Sequence, residues 1–257
     1  MKQDYSINEM LACILARDVK DGERCGAGAN LLVPRAAIIL AHLHHGPNMS
    51  LFGSNLFDVP VVQVGGTTGS FERHATYLRR HEEGFDRNAT RKGGIDVFFF
   101  GAIQFDKYGN MNMFGVGDDY KHLKFRAPGI IGLSQVGTFI NRMYLWATEH
   151  TKRRFVEKLD YVSAVGYGDG PDFRKKWGLP GGGPRWCISP IALMDFDEKT
   201  KRMRLKSVHP GVTVDRVVEN TGFELIIPNK VPTTEPPTDE ELKILRTRVD
   251  PKGLLRQ

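Results

Sequence analysis

Between residues 104 and 112 the chain gathers Gln104, Asp106, Tyr108, Asn110 and Asn112 around a Gly109-Asn110 pair. Amide, carboxylate and phenol groups this close together can orient a bound ligand by hydrogen bonds. Just before them Gly101 and Ala102 are small enough to let such a ligand approach the backbone. The preceding run from Val97 to Phe100 is too short for a helix, and its aromatic and β-branched residues suit a strand buried on both faces. A buried strand that ends in small and then polar residues is how open α/β sheets build sites at their carboxyl ends. Gly-Asn is also ordinary turn chemistry, and on spacing alone a plain turn is the better reading.

Other chemistry-bearing residues carry weaker signals. Ser54 follows the strand-like Met49 to Phe52, but Phe52 occupies the first glycine position of a GxSxG elbow, so a turn serine is the better reading. Gly26-Ala27-Gly28 lacks the third glycine of a dinucleotide fingerprint and the lysine of a P-loop, and a close turn suffices. His42, His44 and His45 have no carboxylate nearby to complete a metal set, and Cys13, Cys25 and Cys187 form no CxxC pair, so no metal is expected. Gly65 to Ser70 is rich in backbone donors for an anion, or simply a mobile loop.

These residues need a scaffold, and much of it is legible. Ser6 with Glu9 makes a capping box for a helix running to Lys20, and Pro34 to His45 reads as a second helix. The segment Cys25 to Asn30 reads as a small-residue loop between them. Strands are expected at Met49–Phe52, Val59–Val64, Val97–Phe100, Met143–Ala147, Phe155–Val165, Trp186–Phe196 and Phe223–Ile227. Asp197 to Thr200 is a hairpin turn delivering Met203 to Val208, and Thr213 caps a short helix through Glu219. Phe71 to Gly94 is dense in charge, as a solvated helical face is. Ala127 to Gly137 looks irregular, and Gly166 to Pro184 is a long loop holding seven glycines and three prolines. The expected class is α/β, with an open, mostly parallel sheet and flanking helices. Residues 1–230 form the domain; 231–257 form a proline-rich arm whose helix, capped by Thr238 and Glu241, docks on its own domain or on a partner.

The net charge of +6 is spread along the 257 residues and interleaved with acid, so it favours an enzyme for anionic substrates over a nucleic-acid binder. Widely spaced cysteines suit reduced thiols. Without a basic leader or a long apolar window, the expectation is a cytoplasmic protein that does not enter a membrane.

The stretch Gly101 to Asn112, read GAIQFDKYGNMN, is similar to the GGAQxDxYGNxN of family I CoA-transferase B (β) subunits, most closely the glutaconate CoA-transferase type. His150 to Val162, Phe196 to Met203 and Glu219 to Phe223 resemble that family as well, and the resemblance covers nearly the whole chain. It implies a subunit that works with an A-type (α) partner in a heterodimer or heterotetramer. It implies no tightly bound cofactor, coenzyme A arriving as part of the thioester substrate. In such transferases a β-subunit glutamate attacks the thioester through an anhydride. Matching Pro34, Pro47 and the intervening helix places that glutamate at Ser54, with Asn55 beside it, and a hydroxyl cannot form the anhydride. The related ring-opening hydrolases of steroid catabolism lack the glutamate and cleave a carbon–carbon bond in a cyclic β-diketone carried on CoA. His209 to Thr213 and the C-terminal Thr238 to Lys252 look more like that branch, whereas Trp177-Gly178-Leu179-Pro180 is nearer the glutaconate type. The hydrolase reading puts the candidate catalytic residues at Ser54, Asn55 and Gln104, with Asn55 and Gln104 as hydrogen-bond donors, and CoA-thioester contacts at Gly101, Ala102, Asn110 and Asn112; a genuine CoA-transferase moving CoA between carboxylic acids, or a non-catalytic scaffold subunit, is the alternative.

Overall fold

The computed structural model describes residues 4–28, 31–52, 56–57, 77–78, 95–130 and 132–257, and the chain divides into two compact units, 1–99 with 235–257, and 100–234. In the first unit α1 (Ile7–Asp18) begins with the expected box: Ser6 Oγ accepts from Glu9 N at 3.1 Å, and Glu9 Oε2 from Ser6 N at 2.9 Å. Its buried Met10, Leu11, Ile14 and Leu15 form one face. That helix packs on α2 (Leu32–His44), where Pro34 sits in the first turn and removes no helical hydrogen bond.

Between them lies β1 (Arg24–Ala27), in a segment expected as a loop. It runs parallel to β2 (Ser50–Phe52), with Cys25 opposite Leu51. The short β3 (Leu56–Phe57) and β4 (Tyr77–Leu78) pair antiparallel. On its other side β1 runs parallel to β5 (Val97–Gly101), with Cys25 opposite Val97. Glycine and alanine have little strand propensity, but a slot between two strands overrides it. Gly28 N donates to Phe99 O at 3.0 Å, so this GxG serves strand pairing.

The terminal helix Asp239–Ile244 is capped by Thr238 and Glu241 and continues as a wide π-helical turn, Leu245–Val249. Of its two possible destinations it takes its own chain. Arg17 forks onto Glu241 at 2.7 and 2.6 Å, and Arg246 onto Glu9 at 2.8 and 3.1 Å. Burial alone would raise both carboxyls, but the arginine and capping hydrogen bonds outweigh it and hold them below the usual carboxylate range.

In the second unit β6 (Gln104–Phe105) pairs with β7 (Met111–Asn112), and β8 (Gly115–Val116) with β9 (Phe125–Arg126). A helix α3 (Leu133–Phe139) occupies ground expected to be irregular; Gly132 at its N-cap adopts the left-handed conformation that turns the chain into it. Next come β10 (Arg142–Trp146), the single turn α4 (Phe173–Lys176), and β11 (Pro184–Ile188), which runs parallel to β10. The strand expected over Trp186–Phe196 is two: after β11 the chain turns at Ser189–Ile191 into β12 (Ala192–Phe196). Ser189 Oγ accepts from Ala192 N at 3.2 Å to make that turn. Asp197 then turns the chain into β13 (Met203–Val208), as expected, and Thr213 caps α5 (Val214–Glu219).

Two other expected strands are absent. Phe155–Val165 keeps only isolated β-bridges, Phe155 with Phe105 and Ala164 with Met111, because the chain between bends around the 104–112 loop. Phe223–Ile227 keeps one bridge, Ile226 with Arg204. Tyr77–Leu78 is a strand within the segment expected as a helical face. The rest of that segment, Val59–Val64 and Gly65–Ser70 lie outside the described residues. The class is the expected one, α/β with a mostly parallel sheet, antiparallel at its β11-β12-β13 side.

Candidate functional site

The loop after β5 is held by its own amides. Gln104 and Asn112 stand opposite each other across the β6–β7 ladder, and Asn112 Nδ2 donates to Gln104 Oε1 at 2.7 Å and to Gly115 O at 2.7 Å. Asn112 Oδ1 accepts from Phe114 N at 2.9 Å and, more weakly, from Gly115 N at 3.4 Å, so all four of its hydrogen-bonding positions are taken in the wholly buried interior. Gln104 Oε1 also accepts from Asp160 N at 3.2 Å, and its Nε2 donates to Asp160 Oδ2 at 3.0 Å.

At the far tip the Gly109-Asn110 turn forms as expected. Asp106 Oδ1 accepts from Tyr108 N at 2.9 Å and Asn110 N at 3.0 Å, and Oδ2 from Asn110 Nδ2 at 2.7 Å. Burial nonetheless pushes the Asp106 carboxyl above its ordinary range. Gly109 has φ +70°, and a Cβ there would meet Phe196 at 2.8 Å and Pro184 at 2.9 Å. Asn110 clasps a second loop: its Oδ1 accepts from Gly166 N at 2.9 Å and Gly168 N at 3.0 Å, and its Nδ2 donates to Gly168 O at 2.7 Å. Gly166 lies so close to the backbone of Tyr108 and Gly109 that no side chain fits there.

That second loop is pinned from behind by Arg174, a buried guanidinium directed at the carbonyls of Gly137, Thr138, Val165, Gly166 and Gly181, at 2.8–3.4 Å. Among the described residues it has no carboxylate partner, and burial lowers its pKa.

Gly101 closes β5, and the Ala102 carbonyl accepts from Arg154 Nη1. Arg154 Nη2 reaches Glu149 at 3.4 Å, while its buried Nε has no partner among the described residues. The structure thus brings Gly101, Ala102, Gln104, Asn110 and Asn112 into one loop; Ser54 and Asn55 lie outside the described residues. His44 and His45 sit at the end of α2, where His45 Nε2 donates to Val19 O at 2.9 Å, and no metal-holding group of His, Cys, Asp or Glu occurs among the described residues. All three cysteines are free and buried, and burial pushes the Cys13 thiol up to about 12. No described helix is long and apolar enough to cross a membrane.

Sequence reasoning missed Arg154, Asp160 and Arg174. The first two fall within the 150–162 segment singled out only for its resemblance. It also missed a buried histidine pair. Thr221 Oγ1 donates to Val217 O at 2.8 Å, so His150 Nε2 carries the proton that Thr221 accepts at 3.0 Å, and His150 Nδ1 accepts from Ser189 Oγ at 2.8 Å. His209 Nε2 donates to Ser189 O at 2.9 Å, and its Nδ1 lies 3.0 Å from Thr234 Oγ1. Burial, reinforced by His209, lowers the pKa of His150 to about 3, and burial lowers that of His209 to about 4.

The chain is 34% identical to the B subunit of glutaconate CoA-transferase from Acidaminococcus fermentans over 96% of its own length and 94% of that protein. It is 35% identical to the cholesterol ring-cleaving hydrolase IpdB subunit of Mycobacterium tuberculosis over 84% of its length and 83% of that protein. The crystal structure of the Acidaminococcus fermentans transferase superposes with a TM-score of 0.89 at 32% identity, covering 99% of this chain and 98% of that one. A family model described as Coenzyme A transferase matches residues 8–220, and with this fold around the 104–112 loop the chain belongs to the coenzyme A transferase family.

Proposed function

We propose that this chain is the B-type partner in a cytoplasmic, two-subunit enzyme acting on acyl-CoA thioesters, and that it opens a ring by hydrolysing a carbon–carbon bond. The observation that carries the second part is the segment Gly53-Ser54-Asn55, where the family resemblance puts a catalytic glutamate and where no carboxylate occurs. A shift of the match by one residue either way still leaves glycine or asparagine there. An acyl–carboxylate anhydride therefore has no residue to form on at this point, whereas addition of water needs none.

In the proposed reaction water adds to a ring ketone, the bond to the neighbouring carbon breaks, and the electron pair left on that carbon is held as an enolate until it takes a proton. Donors aimed at the developing charge are worth roughly 3 kcal/mol each. The backbone at Gly101-Ala102, with Asn55 and Gln104, is proposed to supply them, and Asn110 and Asn112 to keep the loop in shape beside the thioester. Arg154 on the Ala102 carbonyl adds a fixed positive charge to the same place. The general base is assigned to the A-type partner.

A second reading, true CoA transfer between carboxylic acids, is favoured by the greater coverage of the transferase relative, 96% of this chain against 84% for the hydrolase relative. Substitution at Ser54 tests the water-addition route. With the A-type partner present, Ser54→Ala should keep most ring-opening activity, and Asn55→Ala should lose most of it. Loss of all activity in Ser54→Ala would instead make Ser54 a nucleophile and overturn the water-addition route.

A further inference from the structure

A glutamine does not decide by itself which way its amide points. The last torsion of its side chain is broad and nearly two-fold, so the carbonyl and amino ends exchange places at little cost. Around Gln104 the fold makes that choice. Asp160 presents two opposite groups to one edge of the amide: its backbone N–H donates to Oε1 at 3.2 Å, and its carboxylate Oδ2 accepts from Nε2 at 3.0 Å. Asn112 Nδ2 also donates to Oε1, at 2.7 Å. A turned amide would set N–H against N–H at two of these contacts and oxygen against carboxylate at the third, so one orientation alone satisfies them.

These contacts leave one group over. Both lone pairs of Oε1 are occupied, and Nε2 has given one of its two hydrogens to Asp160; among the described residues the other has no partner. Two donors on Oε1 also polarise the amide, which makes that remaining N–H a stronger donor. The contacts at Oε1 fix one atom and let the amide pivot about it. The Asp160 carboxylate fixes the second atom, and two points together set where the remaining N–H aims. Gln104 is buried while Asp160 is exposed, so replacing Asp160 leaves no cavity in the core.

On the reading in which Gln104 donates to the developing enolate, we propose that Asp160 is a positioning residue for the reaction: it aims the remaining N–H of Gln104 at that charge. A double-mutant cycle tests this on the complex with its A-type partner, turning over a cyclic β-diketone acyl-CoA. Asp160→Ala should lower kcat about tenfold and Gln104→Ala about a hundredfold, with KM little changed in either. Asp160→Asn, which keeps an oxygen for Nε2, should recover most of the loss. The double variant Asp160→Ala/Gln104→Ala should be no slower than Gln104→Ala alone, because aim has no effect once the donor is gone. Asp160→Ala at full rate, losses that multiply in the double variant, or Asp160→Asn as slow as Asp160→Ala would each overturn the positioning role while leaving Gln104 as a donor. Full activity in Gln104→Ala would instead overturn the donor reading, and the role of Asp160 with it. Should the complex move CoA to a carboxylic acid, the same cycle read on that transfer decides the role of Asp160 in the same way.

Discussion

Asn112 donates to Gln104 at 2.7 Å across the β6–β7 ladder, and through Gln104 the contact continues to Asp160. One buried amide thus fixes the direction of another, and with it the stretch of backbone that leaves β5.

Replacing Asn112 by alanine should therefore cost more than a typical single hydrogen bond. The N–H of Phe114 and the buried Gly115 carbonyl would lose their partner, and stability should fall by about 2 kcal/mol. Urea unfolding of the variant measures this directly. A change below about 0.5 kcal/mol would mean that the loop holds its shape without the amide.

Arg174 should resist even the conservative change to lysine. An ammonium is a point charge and cannot serve five carbonyls spread around a planar fork, so Arg174→Lys should destabilise by about 2–3 kcal/mol. Amide exchange at Gly166 and Gly168 should quicken in the same variant, because Asn110 would be clasping a loop no longer pinned from behind.

Acid should unfold the protein from the histidine pair first. His150 and His209 are neutral when folded, with pKa values of about 3 and 4, but take a proton near pH 6.5 once unfolded. Below 6.5 the unfolded chain binds more protons, so stability falls as pH falls, by about 1.4 kcal/mol per unit for each histidine, until the folded pKa is reached. The lowered carboxyls of Glu9 and Glu241 contribute stability that is lost further down, as pH drops below about 4.5. Melting temperatures between pH 7 and 4.5 should decline steadily, and His150→Gln should flatten that decline by about half.

The parts legible in the sequence were those whose causes are local. Ser6 with Glu9, Thr238 with Glu241 and the Asp197 turn each complete their hydrogen bonds within three residues, and each appears where its pattern stands. By contrast β1 is made a strand by its neighbours rather than by Gly26 and Ala27, and the Ser189 turn that splits β11 from β12 lies inside one apolar run. The 104–112 loop was singled out correctly as a polar cluster, but what its amides hold is 56 to 58 residues away, at Asp160, Gly166 and Gly168. Arg174 has no local signature in the glycine-rich stretch that holds it, since the carbonyls that surround it meet only in the folded chain.

The reaction itself is decided by the fate of solvent oxygen. The chain, co-expressed with its A-type partner, is given a cyclic β-diketone acyl-CoA in heavy-oxygen water, and the products are weighed by mass spectrometry. Ring hydrolysis predicts a ring-opened product that retains CoA and carries one heavy oxygen in its new carboxylate. CoA appearing on an added carboxylic acid, with no solvent oxygen incorporated, would contradict that account and show a transferase whose nucleophile lies elsewhere than residues 53–55.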